Sequence, residues 1–306
     1  MSIVSRPVTF RSSVTFVTAV SLSACLLASE ASAQTTDTIG VRAQGMAGAF
    51  TAVADDASAT YWNPAGLAGG AFFNGMLEYT RPDRDFNETV RGFAAAYPAL
   101  GIAYYRLPVS QIRVTTPTGG TPVGRQDQGV LSLYGATVGQ SIGDHLVIGT
   151  TLKLLHADDT SADLDIGVMA AFGPARIGAT LRDVTEPSFG TGTGAFTLQR
   201  HARAGFALSS GRRGVIGQAT VSVDLDLTKT NTFRGEERNL AVGAEAWMPQ
   251  QTLGIRGGFS TNTAGDGTLW SGGLSLALRR GTFVDGYVST GDQVRHGWGI
   301  ALRVTF

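Results

Sequence analysis

The sequence predicts an all-β protein: a transmembrane antiparallel β-barrel of about fourteen strands, preceded by a hatch or plug segment of small residues. Three observations support this fold class. Apolar and polar residues alternate along most of the chain after residue 70, which is typical of strands with one apolar face. The connections between predicted strands are alternately long and short, as in outer-membrane barrels. The last strand ends in an aromatic residue at the end of the sequence.

Residues 1–33 are predicted to be a secretory signal peptide. Arg6 and Arg11 precede the apolar run Val14–Ala28, and Ala31-Ser32-Ala33 provides a small-residue cleavage site before Gln34. The single cysteine, Cys25, lies in this region within the letters LSAC, which resemble a lipoprotein box. Lipidation of Cys25 is therefore an alternative to cleavage after Ala33, and a second cysteine for a disulfide is lacking.

Residues 34–70 are predicted to form the hatch. This stretch is rich in alanine and glycine and reads as short helices and turns rather than strands. A fourteen-stranded barrel has a lumen wider than its own wall side chains can fill. We therefore expect the segment to enter the lumen from the periplasmic side and occupy it, because small residues can lie close to the wall.

Residues 71–306 are predicted to be the barrel. In 215–227, for example, Val221, Val223 and Leu225 alternate with Asp224 and Asp226. Most predicted strands have about the nine to eleven residues that a tilted membrane strand needs. The fourteen strands are predicted near residues 72–80, 91–98, 100–107, 130–140, 145–156, 162–172, 175–184, 198–209, 214–227, 239–248, 252–260, 268–279, 282–289 and 294–306.

The predicted connections differ at the two ends of the barrel. Long polar loops are expected at 80–89, 109–129, 186–197 and 228–237, and clipped turns join the strands at the other end. This asymmetry predicts a barrel in a bacterial outer membrane, in contact with its lipid, with the long loops outside and both termini in the periplasm.

The final strand carries a predicted assembly signal. In 294–306 one face alternates through apolar residues up to the terminal aromatic. This pattern resembles the signal read by the barrel-assembly machinery of Gram-negative bacteria, which we expect as a partner. The residues of the signal are Trp298, Ile300, Leu302, Val304 and Phe306.

The hatch segment also resembles a known family. The stretches Gly45-Met46-Ala47-Gly48-Ala49, Asp56-Ala57-Ser58-Ala59 and Asn63-Pro64-Ala65 are similar to the hatch of the FadL/PorV superfamily of outer-membrane barrels, which is named after long-chain fatty acid transporters. The segments DLDIGVMAAFGPARIGATLRDV and VGAEAWMPQQTLGIRGGFS resemble barrel segments of its PorV-like branch. The resemblance implies a fourteen-stranded barrel with an N-terminal hatch, and the short chain favours the PorV/PorQ/TraF-like branch.

The resemblance and the residues together give two hypotheses for function. The first is passive transport of hydrophobic, fatty-acid-like molecules across the outer membrane, and the alternative is a scaffold that binds secreted or surface proteins. Proline disfavours a helical residue before it, so the turn at Asn63-Pro64 is expected to end a helix. This turn either merely joins the hatch to the barrel, which is the favoured interpretation, or also latches the hatch. The hatch or gating candidates are Gly45, Gly48, Asp56, Asn63, Pro64 and Ala65, and the candidate ligand-lining residues are Met46, Phe50 and Trp62.

Enzymatic, metal-binding and nucleic-acid-binding functions are not expected. The numbers of basic and acidic residues are equal, 24 each, so no charge surplus favours nucleic acid. The four histidines lack metal-ligand spacing, and neither a catalytic residue nor a cofactor is predicted. Alternatives are a general-base pair of His201 or His296 with Asp163 or Asp165, and a divalent-cation site at the paired aspartates.

A lumenal charge lattice is the favoured interpretation of the polar strand faces. In it, inward cations neutralise inward acids. The predicted cations are Lys153, Arg176, Arg182, Arg203, Arg256, Arg279, Arg295 and Arg303, and the acids are Glu78, Asp163, Asp165, Asp224, Asp226 and Glu245. An aromatic girdle at the strand ends is predicted from Tyr79, Tyr104, Trp247, Phe259, Trp270, Tyr287 and Trp298.

Overall fold

The computed structural model describes residues 32–33, 38–82, 89–115, 123–190, 195–211, 216–232, 235–292 and 296–306. Apart from Ser32 and Ala33, the predicted signal peptide with Cys25 lies outside the described residues, so it stays a prediction. The described chain forms a closed antiparallel barrel in which every strand pairs with its sequence neighbours and the last pairs with the first. The predicted fold class is confirmed.

The fourteen barrel strands coincide with the fourteen predicted ones, with shifts at their ends. In chain order they are β1 (Asn74–Arg81), β2 (Val90–Tyr97), β3 (Leu100–Thr115), β4 (Val123–Ile142), β5 (Leu146–His156), β6 (Thr160–Phe172), β7 (Ala175–Arg182), β8 (His201–Ser210), β9 (Gln218–Asp226), β10 (Asn239–Trp247), β11 (Leu253–Asn262), β12 (Thr268–Arg279), β13 (Thr282–Gly291) and β14 (Gly297–Thr305).

Period-two alternation decides which face of each strand points into the barrel. On β5, Leu152 and Leu154 point outward and are 64% and 54% exposed, whereas the intervening Lys153 is buried in the lumen. The same alternation on the other strands gives the barrel an apolar outer band, which suits the hydrocarbon core of a membrane. No helix among the described residues is long and apolar enough to span a membrane.

The connections confirm the asymmetry of the two ends but correct one loop. At the end that we call the short-turn end, brief turns such as Pro98–Ala99 and Gly173–Pro174 join the strands. At the opposite, long-loop end, the predicted polar loop 109–129 is largely a two-stranded ribbon that continues β3 and β4 as far as Thr115 opposite Val123. The loop interpretation was wrong because threonine and valine favour strands even when the stretch is polar.

Two other predicted loops also contain short strands. Ser188–Phe189 pairs antiparallel with Phe196–Leu198, and Ser32–Ala33 pairs in parallel with the outer edge of the latter. Thr230–Thr232 pairs with Gly235–Glu237. We call the three-stranded sheet 32–33/196–198/188–189 the mouth sheet, because it lies at the long-loop end. Ser32 and Ala33, the last two residues of the predicted signal peptide, therefore lie at the end opposite to the C-terminal residue. The predicted periplasmic position of both termini stays a prediction.

The seam between β14 and β1 closes the barrel. Its register runs from Trp298 opposite Arg81 to Thr305 opposite Asn74. Beyond the last strand residue, the Phe306 N–H donates to the Phe73 carbonyl at 2.9 Å, and the Phe73 N–H donates back at 3.3 Å. The two rings stack with centroids 5.9 Å apart. Phe306 thus extends the seam by one more residue pair.

We expect Phe306→Ala and Phe73→Ala each to lower the fraction of folded barrel, because each removes the ring contact that extends the seam. Heat modifiability measures this fraction, since folded barrels migrate faster on a gel when they are not boiled. Phe72→Ala is the matched control, because Phe72 is 73% exposed. Among the described residues, its only ring contact is an edge-to-face contact with Tyr97. Equal folded fractions in all three variants would contradict the role of the seam.

Candidate functional site

The lumen is filled by residues 38–70, which we call the lumenal segment. It contains the short helices α1 (Val41–Gly45) and α2 (Ala59–Trp62) and a 3₁₀ helix, Pro64–Gly69. Along its course the segment contacts strands on opposite sides of the barrel: α1 lies against β12 and β13, and the 3₁₀ helix lies against β4, β5 and β6. Nearly all of its side chains are buried between the segment and the wall. The small size of these residues allows the segment to lie this close to the wall.

Two carboxylates of the wall accept hydrogen bonds from backbone N–H groups of the segment. The Glu78 carboxylate accepts from the Gly40 N–H at 3.0 Å and from the Val41 N–H at 3.3 Å. Asp224 Oδ2 accepts from the Phe50 and Thr51 N–H groups at 3.0 and 2.7 Å. The predicted lattice had paired these acids with arginines. Amides in such short turns lack regular partners and must find an acceptor when buried, which explains the difference.

Arg42 ties the segment to the wall and was missed by the sequence analysis. Its guanidinium donates to Glu245 at 2.6 Å, to Asp55 at 2.5 Å and to Asp56 at 3.3 Å. The sequence does contain a signal for this role, because Arg42 is the one basic residue between positions 38 and 70. Loss of these partners would leave a buried cation unpaired, which is costly in the interior.

A second charged cluster supports the aromatic residues of α2. The guanidinium of Arg182 lies 4.5 Å from the centre of the Tyr61 ring, and that of Arg203 lies 5.4 Å from the Trp62 ring. Arg203 also donates to Asp226 at 2.6 Å. These contacts are cation–π interactions in a site shielded from water, where they are stronger than at a surface.

His201 belongs to this cluster and both of its ring nitrogens are engaged. Nδ1 lies 2.7 Å from Arg182 Nη2, and Nε2 lies 3.0 Å from Asp226 Oδ1. An arginine N–H can only donate, so Nδ1 accepts and Nε2 carries the hydrogen. The acid beside His201 is therefore Asp226, whereas the general-base alternative had named Asp163 or Asp165. Its contacts make His201 a member of the polar wall.

A lysine ammonium group lies at the centre of the site that corresponds to the divalent-cation alternative. Asp163, Asp165 and Asp183 lie close enough together to hold a metal ion. However, Lys153 Nζ lies 2.7, 2.6 and 2.6 Å from the three carboxylates in that order. Burial raises the pKa of Asp183, which lies beyond the end of β7, to about 6. The ammonium group occupies the place that a cation would take.

Asn63 joins two parts of the segment to the wall. Its side-chain amide donates to the Thr51 carbonyl at 2.9 Å and to the Val168 carbonyl of β6 at 3.2 Å. Its Oδ1 accepts from the Ala65 N–H at 3.1 Å, which caps the 3₁₀ helix that begins at Pro64. Helix α2 ends at Trp62, in agreement with the expectation that Pro64 disfavours a helical residue at 63.

The turn at Asn63-Pro64 lies directly on wall glycines. A Cβ added to Gly167 would lie 2.2 Å from Asn63 Oδ1 and 2.8 Å from Pro64 Cδ. A Cβ added to Gly149 would lie 2.2 Å from the Pro64 carbonyl carbon. No side chain fits at either position unless the turn moves away, so the wall and the turn are complementary in shape.

The remaining hatch candidates occupy distinct places in the segment. Gly45 ends α1 beside Arg256, and Gly48 has a φ of 82° and lies over the Trp62 ring. Asp56 Oδ1 accepts from the Ser58 N–H at 2.9 Å and from its hydroxyl at 2.5 Å. The structure therefore brings Asp56 together with Arg42 and leaves the gating roles as predictions.

The candidate ligand-lining residues are buried in the packed interior. Phe50 and Trp62 contact each other edge to face at 6.1 Å, and the Trp62 indole N–H donates to the Ile39 carbonyl at 2.9 Å. Met46 lies against the wall at Gly258. A cavity of about 170 Å³ lies near the short-turn end, and none of the three lines it; its lining is polar and includes Arg42, Asp55, Arg176, Glu245 and Arg303.

Some predicted wall residues lie elsewhere. Trp247 and Tyr287 point into the lumen and are buried, so they do not belong to an interfacial girdle, whereas Trp270 is 60% exposed on the outer face. Trp247 donates its indole N–H to Glu245. Arg279 is exposed and donates to Thr282, and Arg295 lies outside the described residues. Trp247 and Tyr287 lie two residues after the inward Glu245 and Asp285, so regular alternation already places both inward. At Arg279 a register shift after Ala277 interrupts the alternation.

One part of the described inner wall is apolar. Toward the long-loop end of β2–β5, the inward positions are hydrophobic and essentially inaccessible to water. We call this set the apolar inner surface; it consists of Val90, Tyr105, Leu107, Val109, Leu131 and Leu155. The sequence carries the signal, because 130–134 and 152–155 have apolar residues on both faces. Regular alternation alone does not distinguish these stretches from other strands.

The amino-acid sequence of the chain matches a known protein family. The family described as "F plasmid transfer operon, TraF, protein" matches residues 8–226. The chain belongs to this TraF family. No curated protein sequence matches the chain.

Solved structures share the fold of this TraF-family chain. The CymD monoaromatic hydrocarbon channel has a TM-score of 0.64 at 11% identity, with coverage of 88% of this chain and 97% of that one. The Ralstonia pickettii toluene transporter TbuX has 0.58 at 12% identity, covering 88% and 98%. A Pseudomonas aeruginosa FadL homologue has 0.57 at 10% identity, covering 90% and 99%. With the family match, the shared fold confirms the predicted FadL/PorV resemblance.

We expect Gly167→Ala to displace the Asn63-Pro64 turn, because a methyl group there overlaps the turn by more than an ångström. Gly257→Ala is the matched control: its Cβ would meet no atom closer than 3.7 Å. Hydrogen exchange of the lumenal segment measures the effect, and protection should fall at residues 51–65 in Gly167→Ala alone. Unchanged protection in that variant would mean that the turn does not depend on the wall glycine.

Proposed function

We propose that this TraF-family barrel is a passive channel for apolar small molecules in the bacterial outer membrane. In this proposal the long-loop end faces outward and Phe306 lies on the periplasmic side. The observation that carries the proposal is the apolar inner surface at the long-loop end. Water-filled porins have polar interiors, so an apolar lumenal wall suits an apolar solute rather than water or ions.

The size of the apolar inner surface supports binding of such a solute. Removing apolar area from water contributes about 25 cal/mol per Å². A small aromatic or aliphatic molecule leaves water when it packs on these leucine and valine side chains. Because the side chains are already inaccessible to water, the molecule must displace the residues that now cover them. The carboxylates that hold the lumenal segment, Glu78, Asp224 and Glu245, lie on β1, β9 and β10, outside the strands of the apolar inner surface.

The comparison structures support the same class of solute. One is described as a monoaromatic hydrocarbon channel and another as a toluene transporter. The descriptions concern those proteins. For this chain we infer the broader class of apolar small molecules, because its inner wall supplies apolar contacts. Binding of such molecules does not require a residue that selects a carboxylate head group.

Passage requires the lumenal segment to move. The segment separates the apolar inner surface from the polar cavity at the short-turn end, and its side chains are packed against the wall. Opening must therefore break some of the contacts of Glu78, Asp224, Arg42 or Asn63 with their partners. The alternative function, a scaffold for secreted proteins, predicts a segment that stays in place while the outer loops bind a partner.

The proposal is tested by uptake of radiolabelled toluene into liposomes that contain the purified barrel. We expect uptake above that of empty liposomes, and Leu155→Ser should reduce it several-fold because a hydroxyl weakens the apolar inner surface. Leu154→Ser is the control, since Leu154 is the neighbouring leucine on the outer face. Uptake equal to that of empty liposomes would overturn the channel and favour the scaffold.

The latch at Asn63-Pro64 gives a second expectation. Asn63→Ala with Pro64→Ala removes the bonds to Thr51, Val168 and Ala65, each worth about 1 kcal/mol. If these bonds hold the segment closed, toluene uptake should rise about tenfold or more while heat modifiability is retained. The control is Asn231→Ala with Pro249→Ala, the same two changes at positions outside the lumenal segment. A folded double variant with normal uptake would make the motif a hinge only.

A further inference from the structure

Two arginines face outward on neighbouring strands near the long-loop end of the barrel. Arg91 on β2 and Arg106 on β3 are exposed, and the strand register places them directly opposite each other. Residues in this position have Cβ atoms about 5 Å apart, and like charges there are destabilising. Among the described residues, neither guanidinium has an ion pair or a hydrogen bond, so the pair has no counter-charge in this part of the chain.

The arginine pair belongs to a row of hydrogen-bond donors on the outer face, which we call the outer donor row. From β1 to β6 the strand register aligns, in this order, Tyr79, Arg91, Arg106, Ser132, His156 and Thr160. Every member of the row can donate a hydrogen bond, and none of them is acidic. The described acids Asp158 and Asp159 follow His156 in the next turn, at the edge of the row. The positive charge is therefore centred on the arginine pair.

The next row on the outer face, two residues farther from the long-loop end on each strand, is apolar. We call it the outer apolar row; in the same strand order it consists of Leu77, Phe93, Tyr104, Tyr134, Leu154 and Ala162. Its rings contact one another, with centroids 6.0 Å apart for Phe93 and Tyr104 and 4.9 Å apart for Tyr104 and Tyr134. Arginine on the outer face of a barrel is costly at the bilayer midplane but tolerated near the interface. The two rows therefore suit the head group and the acyl chains of a lipid.

We propose that the outer donor row binds the phosphorylated head group of an outer-leaflet lipid, whose acyl chains lie along the outer apolar row. Arginine suits this role, because its guanidinium donates charge-assisted, bidentate hydrogen bonds to phosphate oxygens. A phosphate monoester carries a charge of about −1.5 to −2 at pH 7, so a single group can neutralise both arginines. The site is independent of what passes through the lumen and depends only on the proposed orientation, with the long-loop end outward.

A lipid that neutralises the arginine pair must also change the stability of the barrel. Without an anion the two like charges repel each other, so Arg106→Ala should raise the midpoint temperature of unfolding in lipid-free detergent. Added lipid should raise the midpoint of the unaltered protein more than that of the variant, because a ligand that binds only the folded state stabilises it. Heat modifiability at increasing temperature measures both midpoints. A variant that is less stable without lipid would contradict the uncompensated pair.

Binding is measured by titrating the purified, delipidated barrel with lipid A, a glycolipid whose sugar head group carries phosphate monoesters. Native mass spectrometry counts the bound lipid. Arg91→Ala with Arg106→Ala should weaken binding at least tenfold. Arg279→Ala is the matched control and should leave the affinity unchanged, because Arg279 is exposed at the short-turn end, where it donates to Thr282. A heat-modifiable double variant with unchanged lipid A affinity would overturn the proposal.

A comparison of ligands on the unaltered protein keeps the proposal testable if the double variant does not fold. Lipid A should bind at least tenfold more tightly than its dephosphorylated form and than phosphatidylglycerol, whose phosphate is a diester. Equal binding of dephosphorylated lipid A would overturn phosphate recognition, and equal binding of phosphatidylglycerol would overturn the choice of an outer-leaflet lipid. Inorganic pyrophosphate tests the other source of phosphate. If it displaces lipid A at equal concentration, the outer apolar row contributes nothing and the lipid is the wrong ligand.

Discussion

Buried backbone amides without regular partners are the constraint on which the rest of the lumen depends. A segment of thirty-odd small residues cannot form long helices, and so it brings unpaired N–H groups into the interior. Glu78 and Asp224 accept hydrogen bonds from four of them. The Phe50 N–H also donates to the Gly48 carbonyl, but at Gly40, Val41 and Thr51 a lost bond leaves a buried donor at a cost of about 1–3 kcal/mol. Charged side chains on the inner wall are thus required by the segment, whatever passes through the barrel.

This constraint also explains how the lumen is divided. The acids and arginines of β6–β10 are placed where the segment needs acceptors or aromatic supports, as in the Arg182–Tyr61 and Arg203–Trp62 contacts. Toward the long-loop end of β2–β5 the wall faces the mouth sheet instead, and there its side chains are apolar. The inner wall therefore has two parts: charged side chains hold the lumenal segment, and apolar side chains face the mouth sheet.

The sequence predicted the wall well and its contents poorly, and the reason is physical. Period-two alternation reports which face a residue occupies, so fourteen strands and the inward position of Asp224 could be predicted. It does not report what an inward side chain meets across the lumen. The partners of Asp224 are amides from a segment distant in sequence, and Arg42 finds Glu245 only after the barrel closes. The ribbon at 109–129 was missed because local polarity was given more weight than strand propensity.

Closure at two levels follows from this arrangement. At the long-loop end Phe189 and Phe196 are held by apolar burial, whereas the lumenal segment in the middle is held by amide–carboxylate bonds and ion pairs. An apolar solute can compete with the first kind of contact but offers nothing to the second. A ligand shifts an equilibrium only by its differential affinity for the two states. Binding at the mouth and movement of the segment are therefore separate events, and the slower of them is expected to be the one that breaks charged contacts.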